Sequence, residues 1–306
     1  MNKSTSYIKK SKVLKNIFII SMLALPILHF LIFFVYINID TILLSFQRFN
    51  YNTGSYQWVG MDNFNRLYRD FIELDGIKTT LINSLLLFPV TNFITLPLSI
   101  ISAYFLYRKV PGNKIFRVIF FLPSILSIVV LTMSFQFMLD PYFGPGSQVL
   151  RFFGLDPVGG WFGNKGTVMP MIFIYLIWAG IGFNVVLLNG AISRIPQEII
   201  ESARLDGIGM FKELVLIVIP LVWPTITTLF IVGTTSVFTL FLQNMLLANG
   251  GPSGASMTIA YMVVEMVQNG NLTDAAALGT AFTLIGVPII FLIKRFMEKF
   301  GENVEY

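Results

Sequence analysis

The sequence predicts an all-α integral membrane protein with six spanning helices and both ends in the cytoplasm. Three observations carry that expectation. The 306 residues are 55% hydrophobic and only 12% charged, with a mean hydropathy of +0.74, beyond ordinary globular usage. The apolar residues fall in six runs, each about the ~20 residues that cross ~30 Å of hydrocarbon at ~1.5 Å rise. Lys and Arg cluster in alternate connections, which sets orientation.

The N-terminal residues 1–16 carry Lys3, Lys9, Lys10, Lys12 and Lys15 with no acid, and are expected as a cytoplasmic tail. The apolar run 17–37 follows. It is too long for a signal peptide and lacks a small-x-small cleavage pattern, so it reads as the first span, with Pro26 as a kink. His29 is the only histidine; with no second ligand at a usable spacing it reads as a packed side chain. Residues 47–80 are polar and mixed, and read as an aqueous loop. The second span is placed at 82–106, around Pro89 and Pro97, and the third at 118–139, broken by Pro123. The segment 140–165 is rich in Gly and Pro. Its Tyr142, Phe152, Phe153, Trp161 and Phe162 read as an interfacial aromatic belt. The fourth span is placed at 169–192, the fifth at 214–240 with Pro220 and Pro224, and the sixth at 275–293. Residues 298–306 close the chain as a second cytoplasmic tail.

Charge decides orientation. One side carries the five N-terminal lysines, then Arg108, Lys109, Lys114 and Arg117, then Arg194, Arg204 and Lys212, then Lys294, Arg295 and Lys299. The other side carries Arg48, Arg66, Arg69, Lys78, Arg151 and Lys165, and the fifth-to-sixth connection carries none. The first side is cytoplasmic. The net charge of +5 is spread between apolar runs rather than over one soluble face, which argues against a nucleic-acid partner and for the lipid bilayer. With no cysteine there is no disulfide framework.

No span holds an Asp, Glu, Lys or Arg near its middle, which argues against a proton-coupled pump. The chain lacks a G-x-x-x-x-G-K-[ST] loop, a nucleophile–base set and a metal-ligand cluster, so no cofactor and no catalytic residue is expected. Its energy must come from a partner. The spans and their ends do hold neutral polar residues: Asn83, Asn92, Ser124, Ser127, Gln136, Tyr175, Asn184, Asn189, Ser236, Gln243 and Asn244. Any one of these can simply join helices by a hydrogen bond. As a set with Trp178, Phe183, Phe238 and Phe241, they suit a path for a neutral, hydroxyl-rich solute.

The stretch ESARLDGIGMFKELVLIVIP, running from Glu201 to Pro220, places a charged, glycine-punctuated insert between two apolar runs. Glu198, Glu201, Arg204, Asp206, Lys212 and Glu213 belong in water at the membrane face. Pro196 suits a first helical turn. Glu198 and Glu201 suit a helix N-terminus, and Asp206-Gly207 suits a stop. Ile199, Ile200 and Ala203 fall on one side; Glu198, Glu201 and Ser202 fall on another. Two readings fit: a connecting loop with a solvated face, or a short helix that docks into a groove on a partner.

Glu201-Ser202-Ala203, Asp206-Gly207 and Ile219-Pro220-Leu221, led in by Ile195-Pro196, resemble the "EAA" loop of ATP-binding-cassette importer permeases. Val59-Gly60-Met61-Asp62-Asn63-Phe64 is similar to the "V-G-L-x-N-F" segment of the sugar-type members, and Asn249-Gly250-Gly251-Pro252 to their "T-x-G-G-P" segment, of the maltose F type. The resemblance covers 17–297 and is strongest over 79–297. It implies a type I importer permease fold in a bacterial cytoplasmic membrane, with a coupling loop at 193–213. Its ATPase-coupling residues would be Glu198, Glu201, Ser202, Ala203, Asp206 and Gly207. It also implies a homologous second permease, two ATPase subunits and an extracellular solute-binding protein as partners. Carrying over the maltose pocket position by position gives Gly180, Phe183, Gly233, Ser236, Val237 and Leu240; the last two are asparagines in the family member whose pocket is known. With the polar residues of the spans, the expected solute path is Ser124, Ser127, Tyr175, Gly180, Phe183, Asn184, Gly233, Ser236, Val237, Leu240, Gln243 and Asn244. The resemblance leaves oligosaccharide, monosaccharide and glycerol phosphate open as solutes. An ion-coupled carrier and a structural membrane protein are the rival classes.

Overall fold

The computed structural model describes residues 3–73, 75–155 and 159–301. Parts of four expected segments lie outside the described residues: 1–2 of the N-terminal tail, 74 of the 47–80 loop, 156–158 of the Gly/Pro-rich loop and 302–306 of the C-terminal tail. Leu14–Ser45, Gly76–Tyr107, Val168–Ile192 and Leu272–Glu298 are each long and apolar enough to cross a membrane. Two bent pairs, Asn113–Ile125 with Ile128–Met138 and Met210–Leu221 with Trp223–Thr239, supply the third and fifth spans. That makes six.

The first span differs from the expected tail-then-helix, because the basic N-terminal segment is already helical from Lys3. The apolar window of this span is 0% buried within the chain; its outer part, Ile37–Ser45, packs on the sixth span. A π turn, Val90–Thr95, interrupts the second span between Pro89 and Pro97. Within this turn the hydroxyls bond back to the helix: Thr91 Oγ1 donates to the Leu87 carbonyl at 2.8 Å and Thr95 Oγ1 to that of Val90 at 3.0 Å.

The third and fifth spans are not single rods. The third bends by 113°, beyond Pro123 rather than at it. Leu126 and Ser127 are extended, with ψ of 147° and 138°, and the Ser127 carbonyl accepts the first bond of the second half, from Leu131 N at 2.9 Å. Both halves still climb along the fourth span: a side chain on Gly182 would strike the Phe120 carbonyl, and the Thr132 and Tyr175 hydroxyls meet at 2.6 Å. The fifth span bends by 79° at Val222, between Pro220 and Pro224, which each remove a donor from the ladder one turn apart.

The 47–80 segment is more ordered than an aqueous loop. Gln47–Asn50 (β1) and Ser55–Trp58 (β2) form an antiparallel hairpin with Phe49 opposite Tyr56. Gly54, at φ +62°, donates to the Asn50 carbonyl to close the turn. The helix Asp62–Glu73 follows, tied by Arg48–Asp62 and, to the start of the sixth span, by Arg66–Asp274. The aromatic belt is also only partial. Tyr142, Phe152 and Phe153 are exposed, whereas Trp161 is buried, and both it and Phe162 pack in an apolar cluster with Val168, Ile172 and Tyr175. A second cluster, at the inner end, joins the second, fourth and fifth spans through Tyr104, Leu188, Ile192, Ile200 and Leu214.

Candidate functional site

Two regions bring the expected residues together, one at the cytoplasmic face and one inside the bundle. At the cytoplasmic face Pro196 is the N-cap, and Gln197–Leu205 forms the short helix. Asp206 ends it, and Gly207 takes φ +76°. Gly207 N donates to the Arg204 carbonyl at 3.0 Å and Ile208 N to that of Ala203 at 3.1 Å. That pair of bonds is a Schellman motif, which satisfies carbonyls that the helix end leaves open.

Ile200 and Ala203 face inward and are buried, Ile200 within the inner apolar cluster. Glu198, Glu201, Ser202, Asp206 and Gly207 are exposed. Ile199, expected beside Ile200, is exposed as well, since successive residues on a helix lie about 100° apart. Leu205 is 90% exposed at the helix end. An acid-and-leucine surface on a rigid cytosolic helix is what a partner groove can grip.

Glu213 does not sit in water with the rest of the charged insert. It is 0% exposed, the one charged side chain among the described residues that is fully covered. Its Oε1 accepts from Tyr104 Oη at 3.0 Å; its Oε2 accepts from Arg108 Nη1 at 3.1 Å and Arg204 Nε at 3.3 Å. Spacing along the chain could not reveal this, because Tyr104 and Arg108 arrive from another span. The only local signal is an acid directly before the apolar run that starts at Leu214.

Inside the bundle a cavity of about 370 Å³ opens between the second, third, fourth and fifth spans. It is lined by Tyr175, Gly180, Phe183, Asn184, Gly233, Ser236 and Gln243 from the expected path, together with Thr91, Thr95, Leu229 and Val232 among others. Among the described residues no charged side chain lines it. The glycines let helices close: a Cβ on Gly233 would lie 2.5 Å from Asn92 Oδ1 and one on Gly180 3.0 Å from Thr95 Cγ2. Asn184 Nδ2 lies 3.3 Å from Ser99 Oγ. Ser236 Oγ bonds back to the Gly233 carbonyl at 2.6 Å and keeps acceptor capacity. Thr91 and Thr95 were legible as hydroxyls one helical turn apart on one face.

The other expected path residues lie elsewhere. Ser124 is spent on the Phe121 carbonyl at 2.8 Å, and Ser127 occupies the N-cap position of the third span's second half without a side-chain capping bond. Val237 and Leu240 are buried in the outer apolar cluster. Asn244 is fully buried, and its Nδ2 donates to the Ser256 carbonyl at 2.8 Å. Asn83 does the same kind of work, donating to the carbonyls of Ala255 and Met257, both at 2.9 Å. These amides hold the 249–258 loop, where Asn249, Gly250 and Gly251 have φ of 45°, 81° and 68°. Trp178 stacks on Phe135 at 5.9 Å. Phe238 and Phe241 line a separate apolar pocket beside the sixth span.

The comparisons agree with this architecture. Over 292 residues the chain is 27% identical to the diacetylchitobiose uptake system permease protein NgcF of Streptomyces coelicolor, covering 91% of this chain and 82% of that protein. It is 28% identical over 297 residues to the multiple sugar-binding transport system permease protein MsmF of Streptococcus mutans, covering 92% and 96%. A bacterial ABC transporter involved in import of the acidic polysaccharide alginate has a chain that superposes with a TM-score of 0.78, at 20% identity, over 95% of this chain and 99% of that one; this likeness speaks for the fold. The family described as "Binding-protein-dependent transport system inner membrane component" matches residues 95–306. That match takes in more than half of the chain, so this protein belongs to the inner-membrane components of binding-protein-dependent transport systems, a family of multi-pass transport permeases.

Proposed function

We propose that this chain is one permease subunit of an ATP-driven carbohydrate importer and forms half of the path for a neutral sugar or oligosaccharide. The observation that carries the solute class is the cavity wall. It offers hydroxyls, amides and the Phe183 ring, and among the described residues no charged side chain. A sugar hydroxyl can trade water for Ser236, Asn184 or Gln243, and an aromatic face suits a sugar ring. A phosphate ester would leave its charge uncompensated in a site of low dielectric, at a cost of several kcal/mol, roughly. That weighs against glycerol phosphate, although a relative 29% identical to this chain is the sn-glycerol-3-phosphate permease UgpA of Agrobacterium fabrum.

The partners in this reading are a homologous second permease, which completes the cavity, two ATPase subunits and an extracellular solute-binding protein. The exposed surface of Gln197–Leu205, with Glu198, Glu201, Ser202 and Leu205, is the docking element for one ATPase. Bond-breaking chemistry belongs to the ATPase, and this chain supplies path and coupling. The ATPases close on ATP and draw the docking helices together, and the two permeases change the side on which the cavity opens.

Ser236→Trp tests the path. In the reconstituted complex it fills the cavity and lowers sugar uptake at least about tenfold, in line with a site built to a solute's shape, while the ATPase still co-purifies. Normal uptake by this variant would move the path away from the cavity.

A further inference from the structure

We propose that Glu213 is a positioning residue: it is the latch through which the docking helix moves the two spans that wall the cavity. This rests on the docking reading of Gln197–Leu205. The carboxylate is fully covered and gathers donors from separate elements. Arg204 comes from the docking helix, and Tyr104 and Arg108 come from the inner end of the second span. Glu213 itself opens the fifth span, at the end of Met210–Glu213. The second span supplies Thr91 and Thr95 to the cavity, and the fifth supplies Leu229, Val232, Gly233 and Ser236. Tyr104 stands on the helix Leu96–Tyr107, whose N-cap is Thr95, so the two are about 14 Å apart by helical rise.

The other contacts of the docking helix with the bundle are apolar, through Ile200 and Ala203, and apolar contacts slide. An ionic contact to a covered carboxylate does not, because parting it leaves that carboxylate unsolvated. One carboxylate here faces two guanidiniums, Arg108 and Arg204, from different elements. Neutralising it removes the bridge and leaves two like charges side by side. A push on the docking helix is then taken up at its own base and does not reach the cavity.

The chain has no cysteine, so Val232→Cys gives a single site in this subunit for a nitroxide on the cavity wall. In the full complex, trapping with ATP and vanadate changes the access of that label to a water-soluble relaxation agent. With Glu213→Gln, the assembled complex still traps vanadate but the label's response falls about fivefold or more, within the usual range of coupling factors; Glu213→Asp restores part of it. A purely structural role would lower the yield of complex and leave the response of what assembles intact. A full response in Glu213→Gln overturns the latch. If that variant does not accumulate, Arg204→Gln carries the test: its side chain is 46% exposed, its response should fall in the same way, and a full response overturns the latch. Glu201→Lys separates the two readings. It should release the ATPase; retention would overturn the docking assignment, whereas an intact response in the Glu213 variant overturns the latch alone.

Discussion

At Gly207 the backbone lies at φ +76°, and nothing stands within 4 Å of where a Cβ would be. A substitution there is therefore opposed by conformation and not by space. Valine disfavours the left-handed region by more than the ~1–2 kcal/mol typical of a residue with a Cβ, whereas asparagine enters it with less strain. Gly207→Val should unwind the end of Gln197–Leu205 and abolish uptake, and Gly207→Asn should keep most of it. Equal uptake in the two variants would show that the turn plays no part in coupling. This residue is legible in the sequence because the whole signal, Asp-Gly after a short acidic helix, is local. Glu213 is not, because the groups that cover it are brought in by tertiary packing.

Among the elements, the apolar runs and the steps of charge are legible, since both follow from the bilayer acting on the chain locally. The bends are legible only as prolines. Pro123 removes a donor, but the break falls at Leu126 and Ser127, where packing against the fourth span decides the angle. The β1–β2 hairpin is hidden because its strands are only four residues long: Tyr56 and Trp58 alternate with polar residues in one, but the other offers Phe49 alone. The loop after the fifth span shows how the same residue type serves two ends. Asn83 and Asn244 satisfy loop carbonyls, whereas Asn184 lines the cavity; composition alone cannot sort them. Asn83→Ala removes both of its bonds to residues 255 and 257 and leaves part-buried acceptors short of a partner, which costs roughly 1 kcal/mol, the low end for such a loss. Hydrogen–deuterium exchange over 249–259 should quicken in this variant and stay as it was over 168–192. Unchanged exchange at 249–259 would mean that Asn83 is not what holds the loop.

For the whole molecule, six spans with a basic inner face place both ends inside and the fifth-to-sixth loop outside. In intact cells an impermeant maleimide should label Ser253→Cys and spare Lys299→Cys, both at exposed positions. Labelling of residue 299 from outside would overturn the topology.

The uncharged cavity has an electrical meaning. A unit charge carried across the full membrane potential exchanges about 2.3 kcal/mol per 100 mV. In this chain the ion pairs sit near the ends of the spans: Arg66–Asp274 at the outer start of the sixth, Arg108–Glu213–Arg204 where the second and fifth meet the docking helix. Turning the cavity from one side to the other therefore carries little protein charge through the field, and a neutral solute adds none. This subunit's share of the cycle has almost no gating charge, so a cell that loses its membrane potential but keeps its ATP keeps this step running.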